Sequence, residues 1–264
     1  MIVVRLMNSF LIALQFLTRI FVVKQTVWTE KSFGESVKFF PAVGAVLGIF
    51  CAGIVGVLNF FTVGNLPLLT GAVGFSALIL LTGGIHCDGL MDSADGLFSG
   101  REREKILEIM KDSRAGSFGV VSMILVAALD VSALSELAKI STAAICAAIF
   151  SAPIIGRLMM VATIGIFPYA RREGMGKAFA QFTTRRTVIF ATIEAIIFLA
   201  ALNFFDVKFF VAALVATLGA AFVTWRFASF STEKIGGVTG DIYGAVTTLS
   251  ETCVLIIFAL SFNS

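Results

Sequence analysis

Leu66-Pro-Leu-Leu-Thr-Gly-Ala-Val-Gly-Phe-Ser-Ala-Leu-Ile-Leu-Leu-Thr-Gly-Gly-Ile85, followed at once by His86-Cys-Asp88-Gly-Leu-Met-Asp92-Ser-Ala-Asp95-Gly96, decides how the chain is read. The first half carries no charged residue over a length that, as a helix, crosses about 30 Å of hydrocarbon. The second half sets three aspartates and the chain's single histidine within ten residues at the edge of that run.

Working outward, apolar runs of similar length recur at about Phe39–Phe61, Gly119–Leu137, Ile140–Phe167, Thr187–Phe205, Val207–Trp225 and Ile242–Phe262. The 264 residues are 58% hydrophobic and only 14% charged, with a mean hydropathy of +0.97. A soluble domain would carry nearer a quarter charged residues. The expected fold is therefore all-α, a polytopic transmembrane helical bundle of about 6–8 spans in one integral membrane domain, residues 1–264. Residues 1–23 read as a first helix that either spans or lies in the interface, with Arg5 and Arg19 snorkelling. No small-residue cleavage site follows it, so no cleavable signal peptide is expected.

The basic residues set the expected orientation. Segments 24–38, 86–118, 168–186 and 226–241 hold 3, 5, 5 and 2 of them, which makes 15 of the 20. The intervening turns hold only Lys139 and Lys208. By the positive-inside rule the four long segments face the cytoplasm, with the protein in the cell (inner) membrane and in contact with lipid. The net charge of +3 is spread over these loops rather than gathered in a patch, so no nucleic-acid partner is expected. The cysteines, Cys51, Cys87, Cys146 and Cys253, are too scattered for a disulfide framework or a zinc site.

Function is concentrated in the polar segment 86–118. On a helix Asp88, Asp92 and Asp95 are spaced i+4 and i+3, so their carboxylates share one face. Helix-dipole complementation accounts for one or two acids at a helix start, not three. A divalent cation removes their mutual repulsion, and hard oxygen ligands suit Mg²⁺. The loop Gly236-Gly237-Val-Thr239-Gly240-Asp241 precedes the last span on the same expected side. Its backbone N–H groups could wrap a phosphate, and Asp241 could join the metal set. Within the spans, Arg157 is a candidate anion contact or half of a buried ion pair, and Glu251 is expected as a structural partner rather than a metal ligand. Gly44 and Gly48 form a G-x-x-x-G step that permits close helix packing.

The stretch Gly83–Gly96 resembles the signature of the adenosylcobinamide-GDP ribazoletransferase (cobalamin 5′-phosphate synthase) family. Lys111-Asp112-Ser113-Arg114 with Gly116 and Gly119 is similar to that family's second block. Gly236–Asp241 with Gly244, Ala245 and Glu251 is similar to its C-terminal block. The N-terminal run ending at Thr18-Arg19, and Phe39-Phe-Pro41-Ala-Val-Gly44, also fit, so the resemblance covers nearly the whole chain. It departs mildly at Ile85 and Cys87, where the family commonly has leucines. The resemblance implies a Mg²⁺-dependent transfer of adenosylcobinamide phosphate from adenosylcobinamide-GDP to α-ribazole or its 5′-phosphate. GMP leaves, and adenosylcobalamin or its 5′-phosphate forms. In that reaction Asp88, Asp92, Asp95 and Asp241 are expected to hold metal, and His86 to accept the proton of the attacking hydroxyl. Arg114 and one of Arg171, Arg172, Arg185 and Arg186 are expected to hold the GDP phosphates. A homo-oligomer is compatible with this reading. Asp92-x-x-Asp95-Gly96 also looks like the start of the CDP-alcohol phosphotransferase motif, the alternative enzyme. An ion-coupled transporter fits less well, because its site belongs near mid-membrane and no internal repeat is visible.

Overall fold

The computed structural model describes residues 2–24 and 29–262. Met1, residues 25–28 of the first basic segment, and residues 263–264 lie outside the described residues. Twelve α-helices account for nearly all of it: α1 (Ile2–Leu17), α2 (Glu30–Ser36), α3 (Phe40–Phe61), α4 (Pro67–Thr82), α5 (Ile85–Leu97) and α6 (Arg103–Ile109) lead into α7 (Ser117–Ile140), α8 (Thr142–Ile166), α9 (Met175–Phe182), α10 (Arg185–Ala200), α11 (Val207–Ile235) and α12 (Gly240–Phe262). No strand forms among the described residues, only a lone parallel bridge between Tyr169 and Val238. Among the described residues six helical stretches are long and apolar enough to cross a membrane, and the bent pair α4–α5 makes up to seven. The chain is a multi-pass membrane protein, as its apolar runs require.

α8 is the hub, almost entirely buried and packed by α3, α12, α10, α11 and α7. Its neighbours come close because the touching residues are small. A Cβ at Gly44 would meet the Pro153 carbonyl, and one at Gly48 would lie 2.6 Å from the Phe150 carbonyl. The G-x-x-x-G step is thus a real helix contact. Gly48→Leu is expected to force α3 off α8 and cost about 1–3 kcal/mol, the usual range for overpacking. Gly53→Ala, where the added methyl meets nothing within 4 Å, is the silent control. Thermal unfolding in detergent separates the two.

Two features differ from the expected spans. α4 stops at Thr82, and α5 leaves it at 92°. Gly83 and Gly84 both adopt left-handed backbone (φ 67° and 75°), which an L side chain resists. Their N–H groups cap the carbonyls of Leu80 and Ile79, and Asp88 N–H bonds the Gly84 carbonyl to open the next helix. α5 therefore starts inside the bundle, where His86 and Cys87 line a small cavity with Asp130, Thr248 and Glu251, and ends at its edge, where Asp95 meets Gly116 and Gly119. Further on, α11 continues ten residues past Trp225, through most of what reads as a polar loop, to a left-handed Gly236.

α1 is shorter than the six spanning stretches. Its Phe10 packs on Phe39, and its Phe16 on Phe33 and Phe179, all at the end of the bundle that carries α5. It lies against that end, and Arg19 N–H closes onto the Leu81 carbonyl (2.7 Å).

Candidate active site

The aspartates of α5 reach Asp241 because two glycines let α5 and α12 touch. A Cβ on Gly89 would lie 2.7 Å from the Asp241 carbonyl and 3.1 Å from Gly244 Cα. One on Gly244 would lie 3.3 Å from both His86 and Gly89. Asp88 and Asp92 thereby share a rim with Asp241, in the first turn of α12. Crowding shows at Asp92: burial first, then the charges of Asp88, Asp241 and Asp95, push its carboxyl up to about 7. Asp241 is steadied by Arg171, which donates to Oδ2 at 2.7 Å, and by the Thr239 hydroxyl at 3.2 Å.

Asp95 is placed differently from its neighbours. Its Oδ2 accepts the Gly116 N–H (2.7 Å) and its Oδ1 the Gly119 N–H (2.9 Å), so it anchors the start of α7. Glycine is needed at 116 and 119 because a Cβ at either would collide with that carboxylate.

His86 is buried, with Nδ1 3.4 Å from the Arg157 guanidinium and Nε2 without a partner. Accepting a proton there would set an imidazolium against a guanidinium in a dry interior. The placement suits a neutral positioning histidine rather than the expected proton acceptor. Arg157 is fully buried and pairs with Glu251 across α8 and α12, so of its two readings the ion pair is the one the geometry forms. Gly156 makes the room: a Cβ there would lie 2.9 Å from Glu251 Cγ.

The Gly-rich loop is strapped down. Val238 N–H bonds the Pro168 carbonyl, and Ala170 N–H the Val238 carbonyl, both at 2.8 Å. Gly237 (φ 156°) leaves no room for a side chain against Pro168. Arg103 donates to the carbonyls of Ile235 (2.8 Å) and Ala170 (3.1 Å), holding α6 to the same junction. Gly240 stands open at the start of α12 beside Asp241. Of the second block, Lys111 and Ser113 are exposed, and Arg114 forms a two-pronged pair with Asp112 (3.0 and 2.7 Å) while 87% exposed. Arg171 reaches the cluster, whereas Arg172, Arg185 and Arg186 are exposed.

Two cavities meet at Asp88. One, about 540 Å³, has Gln15, Thr18, Arg19, Thr82 and Cys87 in its walls. The other, about 330 Å³, lies between α1, α5, α9 and α12 and has Asp241 and, from α8, Met160 in its lining. Arg19 was assigned to the membrane interface from sequence. Its position ending the Phe-Leu-Thr-Arg run was the signal that it belongs to the site.

The carboxylates fit a hard cation in character. Among the described residues no three metal-binding side chains already converge on one point. Mg²⁺ needs only one or two carboxylates when waters and phosphate oxygens complete its shell, and Asp88, Asp92 and Asp241 supply that much.

The family model for cobalamin-5-phosphate synthase matches residues 9–259. The adenosylcobinamide-GDP ribazoletransferase of Desulforamulus reducens is 37% identical over 254 residues, covering 96% of each chain. That of Acetivibrio thermocellus is 37% identical over 260 residues, 96% of this chain and 98% of its own. The Clostridium acetobutylicum protein of the same name is 38% identical over 250 residues, 93% of each chain. No solved structure matches. With the aspartates of α5 and α12 brought together at the Gly89–Gly244 contact and the match running almost end to end, the chain belongs to the cobalamin-5-phosphate synthase family.

Proposed function

We propose that the chain transfers adenosylcobinamide phosphate from adenosylcobinamide-GDP to α-ribazole or its 5′-phosphate, releasing GMP, at the rim shared by α5 and α12. The observation that carries this is the glycine-on-glycine contact of Gly89 with Gly244, which sets Asp88 and Asp92 beside Asp241. A ribose hydroxyl attacks the cobinamide-bearing phosphorus, the bridging P–O bond breaks, and GMP keeps the electron pair. The hydroxyl proton passes to a carboxylate of the cluster.

Asp88, Asp92 and Asp241 are assigned to Mg²⁺, which when bound neutralises pyrophosphate charge and the charge growing on GMP. Asp95 positions the α7 entry, and His86 buttresses α5 against Arg157. Arg19, in the wall of the Asp88 cavity, and Arg171, on Asp241, are assigned to phosphate oxygens. Arg114, in its exposed pair with Asp112, keeps the expected contact with the GDP moiety only by exchanging Asp112 for phosphate. The positive-inside count puts this face in the cytoplasm, and the exposed Phe60, Phe61, Leu68 and Leu218 of the spans face lipid.

The test is to incubate the protein in lipid vesicles with adenosylcobinamide-GDP and α-ribazole. GMP and adenosylcobalamin are expected only with both substrates and Mg²⁺. CMP release from a CDP-alcohol, with no GMP from the cobinamide substrate, would establish the alternative enzyme instead.

A further inference from the structure

The two cavities that meet at Asp88 differ in what they can hold. The larger is mixed in character, with Arg19, Gln15, Thr18 and Thr82 offering charge and hydrogen bonds. The smaller is lined by Phe16, Met160, Phe179 and Tyr243 together with His86, Asp88 and Asp241. Its volume of about 330 Å³ is at the lower end of small-molecule sites and far too small for a corrin ring.

Two nucleosides take part in the proposed reaction, and their bases have opposite needs. Guanine carries donors and an acceptor along its edge, and each would lose water against apolar walls without a replacement. Dimethylbenzimidazole, the base of α-ribazole, presents two methyl groups and a flat ring, with one unsubstituted nitrogen as its sole ring acceptor. The aromatic rings of Phe179 and Tyr243 and the Met160 thioether in its lining suit that shape. Tyr243 lines the cavity, and its buried hydroxyl has no partner. A base seated against Tyr243 would supply the missing acceptor. With the base inside, the ribose hydroxyls fall at the rim, beside the carboxylates.

Resting on the proposed transferase reading, we infer that the cavity between α1, α5, α9 and α12 is the acceptor subsite, which takes the benzimidazole of α-ribazole, and that the Arg19 cavity takes the GDP end. The attacking ribose oxygen then approaches phosphorus from the α12 side, and the P–O bond to GMP breaks on the Arg19 side.

The test uses two variants of the full protein in vesicles, with GMP as the readout. Met160→Trp fills the smaller cavity and is expected to raise KM for α-ribazole about tenfold or more. KM for adenosylcobinamide-GDP should stay within about twofold. Tyr243→Phe keeps the ring and removes the hydroxyl. It is expected to raise KM for α-ribazole about three- to tenfold, the worth of one hydrogen bond, and to leave use of an α-riboside of dimethylindole, which lacks the ring acceptor, unchanged. A rise in KM for adenosylcobinamide-GDP in Met160→Trp, or unchanged KM for both substrates in well-folded variants, would overturn the assignment. Absence of GMP from the wild-type protein would instead sink the transferase reading itself.

Discussion

Asp92→Asn is expected to cut GMP release by about 10²–10³-fold, the span seen when one electrostatic group of a preorganised site is lost, without lowering the thermal midpoint of the metal-free protein. The reason lies in the crowding around this carboxyl. Asp88, Asp241 and Asp95 all act on it, and it is partly removed from water. Asparagine has nearly the same shape and ends the like-charge conflict, so stability should hold or rise while metal and phosphate handling fail. Asp95→Asn should behave in the opposite way. Its two backbone hydrogen bonds lose their charge, and the entry to α7 loosens, so the thermal midpoint should fall. Rates and melting curves measured on both variants separate a reacting group from an anchoring one. An active Asp92→Asn protein would remove this residue from the chemistry.

Glu251→Ala is expected to be the most damaging single change to folding. It strands the Arg157 guanidinium, fully buried between α8 and α12, beside His86, which offers no compensating charge. Breaking one side of a buried pair costs about 3–5 kcal/mol, because a charge is left without compensation. The double variant Arg157→Met with Glu251→Leu removes both charges and should recover most of the lost stability. Size-exclusion profiles of the detergent-extracted variants give the answer. A monodisperse Glu251→Ala protein melting like wild type would show that the pair does not hold the two helices.

How much of this was legible in the sequence follows from the range of each interaction. The spans α3, α7, α8 and α12 announce themselves as long apolar runs with few charges, because the bilayer selects on local hydropathy. The Gly44–Gly48 contact was readable for the same reason, since small residues one turn apart have few other uses in a span. The bend at Gly83–Gly84 was visible only as a glycine pair, which marks a turn without giving its angle. α11 outran its apolar stretch because Arg226–Ile235 stays helical while buried Ala228, Ser231 and Ile235 face the bundle. The i, i+4, i+7 spacing placed all three α5 aspartates on one face. It could not tell that Asp95 would be claimed by backbone N–H groups more than twenty residues away. Arg157 and Glu251, 94 residues apart, were each flagged as charges out of place, and their pairing needed the fold. Tyr243 carried no sequence signal, since an aromatic near a helix start is ordinary in a membrane protein.

The most direct test of the shared α5–α12 site is Mn²⁺ binding, read by electron paramagnetic resonance on the protein in nanodiscs with adenosylcobinamide-GDP present. Wild-type protein should bind Mn²⁺ in competition with Mg²⁺, and the double variant Asp88→Asn with Asp241→Asn should lose that signal while remaining folded. Undiminished Mn²⁺ binding in the folded double variant would contradict a metal site built by Asp88, Asp92 and Asp241.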